Sequence, residues 1–266
     1  HGFQERLFSD YGIYAYYAGN NAHDPLPGNP ADGTHAAPLE SVGSGSTSAI
    51  DLDRGVNQAA IDWLDTYAEH DGENPFLMTV GYFAPHCPYI VPKKYYDRYK
   101  DVVSVEPIDD ERYRQLHPVH RDYIERCGAR DVPPENLVKA KAAYYGLVDF
   151  LDDLLGEVIE TLQRHGLLEN TIIVYSSDHG EMLGSHGRWH KSCFFEESAR
   201  VPLVVRMPGR GEDATRRIAE CASLVDIFPT FVDFCGVQED DLALDGHSLA
   251  PLILGEKCDW RNVVKC

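Results

Sequence analysis

Apolar residues in this chain recur at two spacings, and the changes between them mark out its elements. From Asp51 to His70 the positions Val56, Ala59, Ala60, Trp63, Leu64 and Tyr67 fall three and four apart, the spacing of one helix face, with Asp51 or Asp53 placed to cap it. From Pro134 to His165 a longer stripe runs through Leu137, Ala140, Tyr144, Leu147, Val148, Leu151, Leu154, Leu155, Val158, Ile159 and Leu162, and Gly166 follows at once as a C-cap. Ser223 opens another helical stretch that runs through Phe234. Between these lie short runs rich in β-branched and aromatic residues, Phe76–Phe83, Ile172–Tyr175 and Leu203–Arg206, which read as buried strands. Strands alternating with helices predict an α/β fold: a mostly parallel sheet with helices on both faces.

Two regions fit neither period. Residues 10–50 are rich in Gly, Asn, Pro, Ser and Ala and read as a long irregular surface segment. Residues 86–135 are rich in Pro and charge, with Tyr89, Tyr95, Tyr96, Tyr99, Tyr113 and Tyr123 interspersed. They form either a substrate-facing insertion or a set of tyrosines packed onto the core. No internal repeat is present.

With 266 residues, 43% of them hydrophobic, the chain can bury a sizeable core as one large or two small domains. A net charge of −19 argues against a nucleic-acid partner, which favours a basic footprint. No apolar run reaches the length of a membrane span. The seven cysteines, scattered and odd in number, suit neither a disulfide framework nor a zinc site. Cys127, Cys221 and Cys235 sit among apolar neighbours and read as buried thiols, which favours a reducing, cytoplasmic compartment; a periplasmic or secreted location stays open. A homo-oligomer also stays open.

Candidate chemistry collects where the strands end, the edge at which open α/β sheets bind ligands. The run Ile172–Tyr175 stops at Ser176-Ser177 and is followed by Asp178-His179-Gly180, and then by His186, His190 and Lys191. Asp and imidazole can hold a divalent cation, and a nearby ammonium suits the oxyanion of a tetrahedral phosphoryl or sulfuryl group. The same tripeptide can also serve as a plain turn, with Asp capping and Gly at positive φ. The run Phe76–Phe83 ends in Ala84-Pro85-His86-Cys87-Pro88, where a ring between two prolines is either a rigid exposed loop or a second site group. Asp152-Asp153 lies in the long helical stripe and reads as its solvated face.

Taken together, Ser177-Asp178-His179-Gly180, Gly184-Ser185-His186-Gly187, Lys191, Phe194-Phe195-Glu196-Glu197 and Arg200-Val201-Pro202-Leu203 resemble a segment of the sulfatases of the alkaline phosphatase superfamily. The opening His1–Leu7 is similar to a segment of choline-sulfatase-like members, and Pro85-His86-Cys87-Pro88 to the family's Pro-His-x-Pro turn. The Tyr144–Asp153 stretch and the Leu167–Thr171 turn follow the same pattern.

The resemblance implies an alkaline-phosphatase-like sulfatase fold and a sulfuric ester hydrolase acting on a small sulfate ester. It makes Asp178 and His179 ligands of one divalent cation, Ca²⁺ foremost, with Mg²⁺ or Mn²⁺ as alternatives since imidazole suits softer ions. Lys191 would contact the sulfate and the formylglycine nucleophile. His86 would contact the sulfate and protonate the leaving alkoxide. His186 and His190 would be substrate or supporting contacts, or polar loop surface, and His247 a structural turn residue.

One family feature is missing. None of the cysteines starts a Cys/Ser-x-Pro-x-Arg motif, no serine has a proline two residues on, and no early Asp-Asp pair ends a strand. Residues 1–266 are therefore expected to be a partial sulfatase catalytic domain, lacking its first strands and the C-terminal subdomain, with no sulfatase turnover of its own. A phosphonate or phosphate-diester hydrolase, and a non-catalytic anion-binding fragment, are the alternatives.

Overall fold

The computed structural model describes residues 4–8, 39, 41–70, 74–126, 130, 132–209, 215–237 and 243–264. Most of the irregular segment expected over 10–50, and Cys127, lie outside them. The chain divides into two compact units, one of His1–Glu169 with His179–Arg200, the other of Asn170–Asp178 with Val201–Cys266.

The first unit is built on two long helices, α1 (Ser48–His70) and α5 (Pro134–Arg164). Between them in sequence come α2 (Lys93–Tyr99), α3 (Asp110–Gln115) and α4 (Pro118–Arg126). Helix α5 packs against α1, α2 and the parallel pair β1 (Gly43–Ser44) and β2 (Ile90–Val91). Its stripe supplies Leu137, Ala140, Ala143, Leu147, Phe150 and Leu154 to the core. At roughly 1.5–3 kcal/mol for each large apolar side chain fully buried, this face is a main source of the unit's stability. Gly146 lets α5 approach closely, since a Cβ there would fall 2.9 Å from Val91 Cγ1 and 3.2 Å from the Tyr95 backbone.

The ends of α5 follow the sequence expectation. Pro134 starts it, where a missing N–H costs nothing. Gly166, at φ +68°, ends it in a Schellman turn: Leu167 N–H reaches Leu162 O at 2.9 Å and Gly166 N–H reaches Gln163 O at 3.0 Å. Helix α1 begins one turn earlier than predicted. Thr47 Oγ1 accepts from Ile50 N–H at 3.4 Å, so neither Asp51 nor Asp53 is its cap.

Two further expectations change in this unit. Phe76–Phe83 carries no strand ladder among the described residues. Exposure still alternates along it, with Leu77 at 61%, because its apolar side lies on α1: the Phe76 ring meets Trp63 and Tyr67 edge-on at 5.2 and 5.0 Å. The region 86–135 is not one irregular insertion but contains β2, α2, α3 and α4. Tyr89, Tyr95 and Tyr113 are buried within it, as tyrosines packed inward.

The second unit pairs β3 (Ile173–Ser176) with β4 (Leu203–Arg206) antiparallel, in the register Ile173↔Arg206 to Ser176↔Leu203. All four residues of β3 are half-buried rather than buried, as fits a strand with one ladder partner among the described residues. A one-turn 3₁₀ segment, Leu224–Asp226, leads into α7 (Ile227–Phe234) through a capping box made by Ser223 and Asp226. Buried Asp226 also accepts from His247 N–H at 2.9 Å and pairs with Arg261, so His247 serves the turn before α8 (Ala250–Leu254). Cys221 and Cys235 are exposed, not buried as expected: flanking apolar residues do not turn a loop or helix end inward. No helix among the described residues is long and apolar enough to cross a membrane.

Candidate active site

Two segments of the first unit bring the candidate groups together. The first is the turn at the end of the Phe76–Phe83 run, where the Ala84–Pro85 and Cys87–Pro88 bonds flanking His86 are both cis. Asp53, fully buried on α1, holds this turn: its carboxylate accepts from Phe83 N–H at 2.6 Å and Ala84 N–H at 2.8 Å. Sequence reading reserved Asp53 for a helix cap and missed this role. The signal was an acid on the apolar side of an otherwise amphipathic helix.

The second segment is the loop Gly180–Phe195, a hairpin-like turn closed by Met182 N–H to His190 O and Gly184 N–H to Arg188 O, both 2.9 Å. Glu181 organises it from inside. Its carboxylate accepts from Leu183 N–H at 3.2 Å, from His190 N–H and from the Tyr89 hydroxyl. Burial raises its pKa, and these bonds work against that rise. Leu183, His186, His190 and Ser192 all hold positive φ, a conformation that side chains other than Gly adopt at a cost of about 1–3 kcal/mol each. Residues held in such conformations cluster at active sites and ligand clamps, which makes this loop a candidate.

These segments meet at Lys191 and His86, whose Nζ and Nε2 lie 3.0 Å apart. An ammonium has only donors, so Nε2 is the acceptor and the imidazole proton sits on Nδ1. Nδ1 in turn lies 2.7 Å from Cys87 O, the bond that a protonated Nδ1 would make. The ring is thus held in one tautomer from both ends. Beside it, the His86 and His179 ring centroids are 6.2 Å apart. His179 Nδ1 lies 2.8 Å from Gly180 O, an acceptor, so this ring carries its proton on Nδ1. Burial pushes the Cys87 thiol up to about 12, which disfavours the thiolate that a nucleophile needs.

The structure thus gathers His86, Lys191 and His179. Asp178, exposed and two residues beyond the end of β3, precedes His179 in the chain. The predicted His186 and His190 are placed elsewhere. His190 stacks on Tyr89 and shares a 3.3 Å hydrogen bond with its hydroxyl, while His186 stacks on Phe195 at 4.2 Å. As for a metal, Asp178 and His179 are suitable donors, yet among the described residues no group of three or more His, Cys, Asp or Glu side chains is gathered. Two donors make part of a coordination shell, not a whole one.

Two substitutions test this framework. Gly180 sits against α6 (Glu196–Ala199), with its N–H on Ser198 O at 2.8 Å, and a Cβ there would come closer than 3.0 Å to Glu197 O. Since that neighbour is backbone, Gly180→Ala is expected to cost about 1–3 kcal/mol in denaturant unfolding and to displace His179. Asp53→Ala, which strands two N–H groups, is expected to cost about 2–4 kcal/mol.

Asp53 also gives a pH signature. Burial raises its pKa to about 6, so the folded protein holds a proton that the unfolded chain releases near the ordinary carboxylate pKa of 3.8. Between those values the unfolded state binds fewer protons, and this group's contribution to stability falls as pH rises. Wild type should lose up to about 2–3 kcal/mol relative to Asp53→Asn between pH 4 and pH 7. Parallel curves for the two proteins would contradict this.

Comparison with known proteins fits this geometry. The sulfatase family model matches residues 1–237. The choline-sulfatase of Rhizobium meliloti (strain 1021) is 33% identical over 271 aligned positions, covering 96% of this chain and 51% of the relative. An arylsulfatase of Clostridium perfringens is 33% identical over 212 positions, covering 79% and 44%. Among solved structures, the phosphonate monoester hydrolase of Silicibacter pomeroyi aligns with a TM-score of 0.71 at 26% identity, over 94% of this chain and 51% of that one. That of Agrobacterium radiobacter aligns with a TM-score of 0.69 at 28% identity, over 83% and 47%. The chain spans about half the length of the curated relatives it matches. It belongs to the sulfatase family and has the α/β fold of the alkaline phosphatase superfamily.

Proposed function

We propose that the full-length protein hydrolyses a sulfate monoester at the Lys191–His86 pair. The observation that carries this reading is the 3.0 Å contact between Lys191 Nζ and His86 Nε2 on a strained, closely held loop. A fixed ammonium offsets the charge that grows on sulfuryl oxygens as the ester bond breaks. His86, its Nδ1–H occupied by Cys87 O, has Nε2 available for one proton, received from Lys191 and passed to the leaving alkoxide. The nucleophile in this reading is a formylglycine, and no Cys/Ser-x-Pro-x-Arg motif occurs in these 266 residues.

Asp178 and His179 would be two ligands of a divalent cation, Ca²⁺ or, with an imidazole ligand, Mg²⁺ or Mn²⁺. When bound, the cation would polarise the sulfuryl group and lower the charge that the side chains must offset.

The similarity to phosphonate monoester hydrolases supports a second reading, in which the same groups act on a phosphonate or phosphate ester. Paired measurements on the full-length protein decide between them. The proposed function predicts a higher kcat/KM for an aryl sulfate than for a phosphonate monoester with the same leaving group. A preference for the phosphonate would reverse the assignment, and no turnover of either would favour a non-catalytic anion-binding role.

A further inference from the structure

A second group of basic side chains lies on the same loop but outside the Lys191–His86 pair. Arg188 is 1% exposed and has no carboxylate partner among the described residues. Its Nη1 lies 3.1 Å from His120 Nδ1, its Nη2 makes long contacts to Lys191 O and Ser192 O at 3.5 and 3.4 Å, and its Nε has no partner. The guanidinium stacks over the Tyr123 ring at 3.8 Å. A buried cation without an acid is costly and needs an anion to balance it. In a chain of net charge −19 that is all the more unusual.

The surroundings are basic as well. The His120 and His186 rings both pack on Phe195, at 4.9 and 4.2 Å between centroids, and the His117 ring lies 6.4 Å from that of His120. Three carboxylates close by in sequence have other partners: Asp122 pairs with Arg126, Glu125 accepts from the Tyr113 hydroxyl, and Glu196 pairs with Arg200. Because Arg188 donates to Nδ1 of His120, the proton of that ring sits on Nε2 and is available as a donor. Burial, then the charges of Arg188, His117 and His186, depress the pKa of His120.

We propose that His117, His120 and His186, backed by Arg188, form an anion subsite next to Lys191 that takes a second acidic group carried by the alcohol part of the substrate. Arg188 reaches that group through His120 and, through Lys191 O, ties the subsite to the reacting pair. The preferred substrate class is then a sulfate ester bearing a further sulfate or carboxylate, not the ester of a cationic alcohol. That identity rests on the proposed function above; the binding of an anion by the cluster does not.

The test uses the full-length protein and two probes that cannot be hydrolysed, benzenesulfonate and benzene-1,3-disulfonate. Calorimetry is expected to give the disulfonate at least about tenfold tighter binding, the scale of one added charge-assisted hydrogen bond. The double variant His117→Gln/His186→Gln, which changes exposed rings and spares buried Arg188, should bring the disulfonate to the monosulfonate level and leave the monosulfonate within about twofold. Equal binding of the two probes by wild type, or a preference that survives in the double variant, would overturn the proposal. Lys191→Ala separates it from the functional reading. The disulfonate should still shift the His117 and His186 imidazole NMR signals in that variant, while monosulfonate binding is lost; retained monosulfonate binding would sink the Lys191 assignment and leave the subsite standing.

Discussion

Lys191→Ala in the full-length protein is expected to lower kcat/KM for a sulfate ester at least ~10²-fold, the scale for removing one group that stabilises developing negative charge. Lys191 donates to His86 Nε2 at 3.0 Å, so its loss removes both the ammonium and the proton source of the imidazole. The fall should therefore appear in kcat as well as in KM. Unfolding should be nearly unchanged, because the loop is held by Glu181, by the Met182–His190 and Gly184–Arg188 backbone bonds and by Arg188, not by the lysine head group. An effect below about fivefold would place Lys191 outside the chemistry.

Exhaustive chelation of the full-length protein is expected to remove activity to a comparable extent, ~10²-fold or more, with recovery on adding Ca²⁺ or Mn²⁺. The expectation rests on the proposed metal-ligand roles of His179, whose Nδ1–H is on Gly180 O, and of the exposed Asp178 carboxylate before it. His179→Ala should reproduce the loss and weaken metal retention measured by elemental analysis. Full activity in protein shown to be metal-free would refute the assignment. The 266-residue chain itself is expected to turn over no aryl sulfate, since it contains no Cys/Ser-x-Pro-x-Arg motif. A rate of roughly 1 s⁻¹ or faster would point to another nucleophile.

The parts of this molecule that could be read from sequence are those where one local rule dominates. The apolar stripe and the Pro134 and Gly166 signals placed α5 to within a residue, because spacing, N1 proline and αL glycine all agree there. His86, His179 and Lys191 stood out through their resemblance to family motifs, and contacts between their side chains place them in one region. What stayed hidden depends on contacts between distant segments. Asp53 looked like a cap because nothing local shows that it meets Phe83 and Ala84, 30 and 31 residues on. Phe76–Phe83 has strand periodicity, yet a ladder needs a partner that no periodicity specifies. The tyrosines of 86–135 could not be sorted between loop and core, since an amphipathic ring suits both and only packing decides. Arg188 gave no signal, because its significance lies in the acid it lacks.

Sulfate release tests the assignment of the Lys191–His86 pair most directly. The full-length protein, supplied with Ca²⁺ or Mn²⁺, should release inorganic sulfate from an aryl sulfate at roughly 1 s⁻¹ or faster, and Lys191→Ala should cut that rate at least ~10²-fold. Absence of sulfate release from well-folded, metal-loaded protein, or a Lys191→Ala variant that releases it at the wild-type rate, would contradict the assignment of the Lys191–His86 pair.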